Sequence, residues 1–188
     1  MTSPVRILGL GGSVRAESRN TRLLERSLEI ARNLGAETEL ADLHTLNLPV
    51  FDPDLPHEQQ PAQIHRLVER MQWADGFMLA SPSYLGSLSG AVKNMFDSLH
   101  LGHQQPRTYF EGRPVLLASY GFDGQLNTIK SMRFMVQVMG AEVLPQVLAI
   151  TGEEHGDSEA DLTSPLAQAQ MRSAMDFLIR AAEVSRQR

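Results

Sequence analysis

Along this chain, short apolar runs alternate strictly with longer stretches of helical spacing, five times over. Residues 5–10 are apolar, β-branched at the start and closed by glycines, which reads as a buried strand. Leu23, Leu24, Leu28, Ala31 and Leu34 recur at helical spacing over 20–34, and Gly35 supplies a left-handed stop. Residues 37–43 alternate apolar and polar as a second strand. Residues 44–60 hold three prolines and no period, the mark of a loop. Ile64, Leu67, Val68 and Met71 predict a helix over 62–73. A third strand over 76–80 leads through a proline-containing loop to a helix over 89–101. A polar connection over 100–113 precedes a fourth strand over 114–119 and a helix over 127–139. Pro145 interrupts the fifth strand, 142–150, and so places it at an edge or a bulge. An acidic loop over 151–164 precedes a last helix, 165–184, with Pro165 in its first turn.

Strict alternation of this kind predicts an α/β fold with a parallel sheet covered by helices on both faces. Five strands fit the doubly wound, flavodoxin-like order 2-1-3-4-5, and residues 1–188 read as a single domain. In such sheets a ligand binds beyond the carboxyl ends of the strands, at the switch point between strands 1 and 3. The loops that follow those strands are the two most unusual in the chain.

The first, residues 11–20, has the materials of an anion cradle. Gly11 and Gly12 allow exposed backbone N–H groups, and a helix N-terminus adds a favourable dipole. Ser13, Ser18, Asn20 and Thr21 carry polar side chains, and Arg15 offers a planar charged donor set. The plainer alternative is a helix cap beside a solvated arginine. The P-loop pattern is absent, for want of its Gly-Lys pair, and the dinucleotide pattern that begins at Gly9 fails at Val14. A terminal monophosphate suits the loop better than a pyrophosphate, and flavin mononucleotide fits that description. The second loop reads as a wall for a planar ligand: Pro82 stiffens it, Tyr84 is flat, and Gly86 permits close approach. Ser83 and Leu85 complete that wall. Ser119, Tyr120 and Gly121 approach from strand 4. Ordinary half-buried packing is the plainer alternative for both tyrosines, against a stacking role.

Other features exclude more than they assign. A net charge of −5 argues against a nucleic-acid partner, which needs a basic face. With no cysteine, any electrons this protein moves must be carried by a bound organic cofactor. No stretch approaches the ~20 apolar residues of a membrane span, and no signal-peptide pattern opens the chain, so a cytoplasmic protein without membrane contact is expected. His100 and His103 have a metal-like spacing but no third ligand, and no metal is expected. The acidic run 153–161 lacks calcium-loop spacing and reads as solvated. Met132, Met135 and Met139 read as packing, and Lys93 with Asp97 as a surface pair one helical turn apart.

Two segments then resemble a known family. Gly12-Ser-Val-Arg-Ala-Glu-Ser-Arg-Asn20 is similar to the G-S-x-R-x-x-S-x-N loop of the NADPH-dependent FMN reductases. Residues 81–94, Ser-Pro-Ser-Tyr-Leu-Gly-Ser-Leu-Ser-Gly-Ala-Val-Lys-Asn, resemble that family's [TS]-P-x-Y-x-x-S-x-x-G-x-L-K-N segment. Residues 126–145 resemble its fourth helix and the G-A-x-V-L-P strand. The resemblance, over roughly residues 5–150, implies bound FMN, NADPH or NADH as co-substrate, and a homodimer or homotetramer. It implies that Ser13, Arg15, Ser18 and Asn20 hold the FMN phosphate. Pro82, Ser83, Tyr84 and Leu85 then contact the ring, and Ser119, Tyr120 and Gly121 close its other side. The implied partner is a small-molecule electron acceptor: a flavin, a quinone, an azo dye or an oxidised metal species. Hydride transfer by stacking requires no acid–base dyad, so no catalytic side chain is expected. The chain departs from the family at Leu85, where many members carry a polar residue, and in the strand-4 loop, where Tyr120 and Phe122 replace a glycine-rich run. The alternatives are a flavodoxin-type electron carrier without nicotinamide activity, disfavoured by Arg15, and a phosphate- or nucleotide-binding module.

Overall fold

The computed structural model describes residues 3–56, 59–103, 105–152 and 158–188. In chain order the elements are β1 (Arg6–Gly11), α1 (Arg19–Asn33), β2 (Glu37–Asp42), α2 (Leu43–Leu46), α3 (Ala62–Trp73) and β3 (Gly76–Ala80). There follow β4 (Ser83–Tyr84), β5 (Ser87–Leu88), α4 (Gly90–Leu99) and a 3-10 turn (His100–Gly102). The chain continues through β6 (Pro114–Gly121), α5 (Gln125–Val138), β7 (Glu142–Thr151), α6 (Ser158–Thr163) and α7 (Pro165–Ser185).

The main sheet has the order β2-β1-β3-β6-β7, and every pairing in it is parallel. This is the expected 2-1-3-4-5 arrangement, with β6 and β7 as the fourth and fifth strands. Period-2 alternation sends the two faces of each strand into separate cores. Ile7, Met78, Ala80, Leu116 and Ala118 pack with α1 and α7. Leu8, Leu10, Phe77, Leu79, Val115 and Leu117 pack with α3, α4 and α5. Burial on both faces is why these strands read as unbroken apolar runs. Pro145 lies on the edge strand β7, where a step of four residues from Val143 to Val147 matches a step of two from Val115 to Leu117. The strand bulges around the residue that cannot donate to the ladder.

Three differences from the sequence expectation concern short elements. Residues 43–46 form a helical turn, capped by Asp42, at the start of the stretch read as a loop. The loop after β3 folds into an antiparallel hairpin, with Ser83 opposite Leu88 and Tyr84 opposite Ser87. The stretch read as an acidic loop holds α6, while residues 153–157 of it lie outside the described ones.

At the amino-terminal edge of the sheet, Asp75 is buried and binds Arg6 through its backbone N–H at 3.0 Å and its guanidinium at 3.1 and 3.2 Å. Arg186 stands 3.6 Å from the same carboxylate and donates to the Ser3 and Pro4 carbonyls. Nearby, the buried Arg113 guanidinium donates to backbone carbonyls, among them Phe110 and Ala74 at 2.9 Å. Burial pushes its pKa down to about 10, with the charge of Arg107 adding to the effect.

Candidate functional site

At the opposite edge, β1 and β3 diverge to α1 and to the β4–β5 hairpin, and a cavity of about 800 Å³ opens between them. That volume falls in the usual range for small-molecule sites. Ser13, Arg15, Ser18, Asn20, Pro82, Ser83, Tyr84, Tyr120 and Gly121 all line it, so nine of the eleven expected residues share one cavity. Leu85 and Ser119 do not line it.

The floor of the cradle is backbone held tightly to the sheet. Gly12 N–H donates to the Ala80 carbonyl at 3.0 Å, across the switch point. Gly11 and Gly12 have φ of 107° and 79°, and a Cβ on either would collide, with the Ala80 carbonyl and with Thr21 Oγ1 respectively. Glycine is required there on both counts. Ser18 caps α1, its Oγ accepting from Thr21 N–H at 3.2 Å, and no acidic residue sits in the helix's first turn. The positive end of α1 is therefore not neutralised from within. Arg15 is exposed at the cavity wall, and the Arg19 guanidinium lies 5.6 Å above the Tyr120 ring.

This donor set matches a phosphate monoester: a helix N-terminus, serine hydroxyls and an arginine, in a cradle that a Cβ would fill. The hairpin wall fits a flat ring equally well, since Pro82, Ser83 and the half-exposed Tyr84 form one side of the same cavity. Residues 11–20 would hold the phosphate of FMN, and residues 82–84 would flank its ring.

Three of the expected residues, Asn20, Tyr120 and Ser119, are bonded within the protein. Both amide atoms of Asn20 are bonded to Tyr120: Nδ2 donates to the carbonyl at 2.8 Å, and Oδ1 accepts from the N–H at 2.9 Å. Asn20 thus fastens the cradle to β6. The Tyr120 ring is 1% exposed and joins the core between the sheet, α1 and α7, its hydroxyl donating to Asp161 of α6. It follows Leu116 and Ala118 along the same face of β6, which turns the ring into that core. Ser119 is likewise buried, donating to the Ser81 carbonyl at 2.8 Å and tying β6 to the wall. Phe122 and Arg19 also line the cavity, and sequence reasoning missed Glu17 and Asp123 beside them. Continuation of the loops already singled out was the available signal.

The remaining features stay outside this cavity. His100 and His103 stack at 4.7 Å, and among the described residues no three acidic or histidine side chains gather as a metal site. Lys93 and Asp97 form the expected pair at 2.6 Å. Among the described residues no helix is long and apolar enough to cross a membrane.

Sheet order and cavity position together define a flavodoxin-like α/β protein with a cavity at the switch point. The family model for NADPH-dependent FMN reductase matches residues 5–155, and the chain belongs to that family of oxidoreductases, which use FMN with NAD(P)H as co-substrate. An NAD(P)H-dependent FMN reductase of Pseudomonas aeruginosa is 26% identical over 182 residues, 95% of each chain. A quinone reductase of Escherichia coli is 29% identical over 150 residues, covering 77% of this chain and 76% of that one. Among solved structures, the flavoenzyme NAD(P)H:(acceptor) oxidoreductase FerB from Paracoccus denitrificans superposes with a TM-score of 0.77. It has 19% identity and covers 96% of this chain and 98% of that one. A likeness at that identity speaks for the fold alone.

Proposed function

We propose that the chain catalyses two-electron transfer from NAD(P)H to a small-molecule acceptor, with FMN seated in the switch-point cavity. The carrying observation is the convergence of an anion cradle and a ring-sized wall on one cavity. When bound, FMN supplies a ring able to take up a hydride from a nicotinamide and pass on both electrons. The protein's own part is orientation. Gly11, Gly12, Ser13, Ser18 and Arg15 fix the phosphate end, and Asn20 and Ser119 hold the cradle, β6 and the hairpin wall in register. Such positioning is what hydride transfer demands. Overall, NAD(P)H gives up a hydride, and the acceptor leaves with two electrons and two protons, the second drawn from solvent.

Candidate acceptors are a flavin, a quinone, an azo compound or an oxidised metal species. A homodimer or homotetramer acting in the cytoplasm completes the proposal. The test is the absorbance spectrum of the protein with FMN, before and after anaerobic NADPH. We expect a flavin band that shifts on binding and bleaches with NADPH. A shifted band that stays oxidised would instead assign a flavodoxin-type carrier, and no shift would reassign the cradle to another anion.

A further inference from the structure

The mouth of the cavity has two unlike sides. On the α1 side stand Arg15, Glu17 and Arg19. On the hairpin side stand Tyr84 and Phe122, with Leu85 next along the hairpin from Tyr84 and Leu126 in the first turn of α5, all four with large exposed surfaces. The two apolar segments touch: a Cβ on Gly124 would collide with Ser83 Oγ and stand 3.8 Å from Gly86 Cα. The hairpin tip therefore lies against the loop that carries Phe122.

Leu85 is the anomaly in this rim. It is the first of the two residues linking β4 to β5, and both have positive φ, 53° at Leu85 and 76° at Gly86. That geometry belongs to a type I′ hairpin turn, whose first central position favours Asn, Asp or Gly. A leucine there strains the backbone. It also gains nothing from packing, because its side chain is fully exposed. Backbone and burial thus both argue against leucine at a place where a smaller polar residue would serve the turn better. Strain of this kind persists where a site uses the residue.

We propose that Leu85 is a specificity-determining residue of the reductase, which presents an apolar edge to the incoming electron acceptor. With Tyr84 and Phe122 it selects acceptors that carry an apolar substituent over anionic or highly polar ones. Oxidised metal oxyanions meet the wrong surface on this side of the mouth. The inference rests on the reductase reading above.

Its test compares two acceptors built on one ring, 2-methyl-1,4-naphthoquinone and 1,4-naphthoquinone-2-sulfonate, by the ratio of their kcat/KM values with NADPH. In Leu85→Asn the ratio, methyl over sulfonate, falls about tenfold. In Leu85→Met it stays within about twofold of the parent, since an apolar edge remains. The cofactor-free Leu85→Asn protein gains about 2–4 °C in Tm from relief of the turn. A ratio unchanged in Leu85→Asn overturns the proposal. So does an unchanged ratio accompanied by a loss of dimer in sedimentation, which would assign Leu85 to a subunit contact. Failure of the parent protein to shift or bleach the flavin band is a separate result, seen before any variant is made, and it sinks the reductase reading itself.

Discussion

Asn20 makes two hydrogen bonds to one residue a hundred positions away, and both are buried. Removing its amide leaves the Tyr120 N–H and carbonyl without those partners. We expect Asn20→Ala to cost about 2 kcal/mol in urea unfolding. FMN affinity, read by quenching of flavin fluorescence, should also weaken, because the cradle loses its tie to β6. The polar side chain at the helix entry was plain in the sequence; its partner was not, since nothing local marks a contact at that separation. Tyr120 shows the opposite case. Its ring direction follows from the alternation of Leu116, Ala118 and Tyr120, once β6 is known to run to Gly121. Ending that strand two residues early left the ring free to be assigned to the site.

At the scale of elements, α1 does most to make the cradle, and Ser18 does most to define where α1 begins. The Ser18→Ala variant should lose about 1 kcal/mol of stability, measured by thermal or urea unfolding. It should also bind FMN less tightly while its affinity for riboflavin, which has no phosphate, changes little. The five strands and the long helices were legible because each carries several apolar residues at a diagnostic spacing. The elements that escaped are short. α2 has four residues, the hairpin strands two each and α6 six, too few for a period to show. The hairpin mattered most, since it turns a loop into the rigid wall of the cavity. Its turn also hid behind an atypical residue, leucine where asparagine would have announced it.

The whole molecule is drawn together at the edge farthest from the cavity. Asp75 joins the start of β1 through Arg6 and the end of α7 through Arg186. Burial alone would raise the Asp75 pKa, but the hydrogen bonds from Arg6 and the charges of Arg6 and Arg186 hold it below the usual carboxylate value. A carboxylate lowered on folding stabilises the native state fully above its unfolded pKa, near 3.8, and loses that contribution as pH falls through the lower folded value. Asp75→Asn should therefore cost about 2 kcal/mol at pH 7. The gap between parent and variant should close as unfolding is followed below pH 3.8. A gap independent of pH would mean that shape, not charge, matters there. This clasp has a practical corollary. Residues 3–6 and 186 sit side by side, roughly 17 Å of strand away from the carboxyl edge of the sheet. A tether joined to either segment would seat the molecule on an electrode or bead with its opening turned to the bulk liquid, accessible to whatever diffuses in.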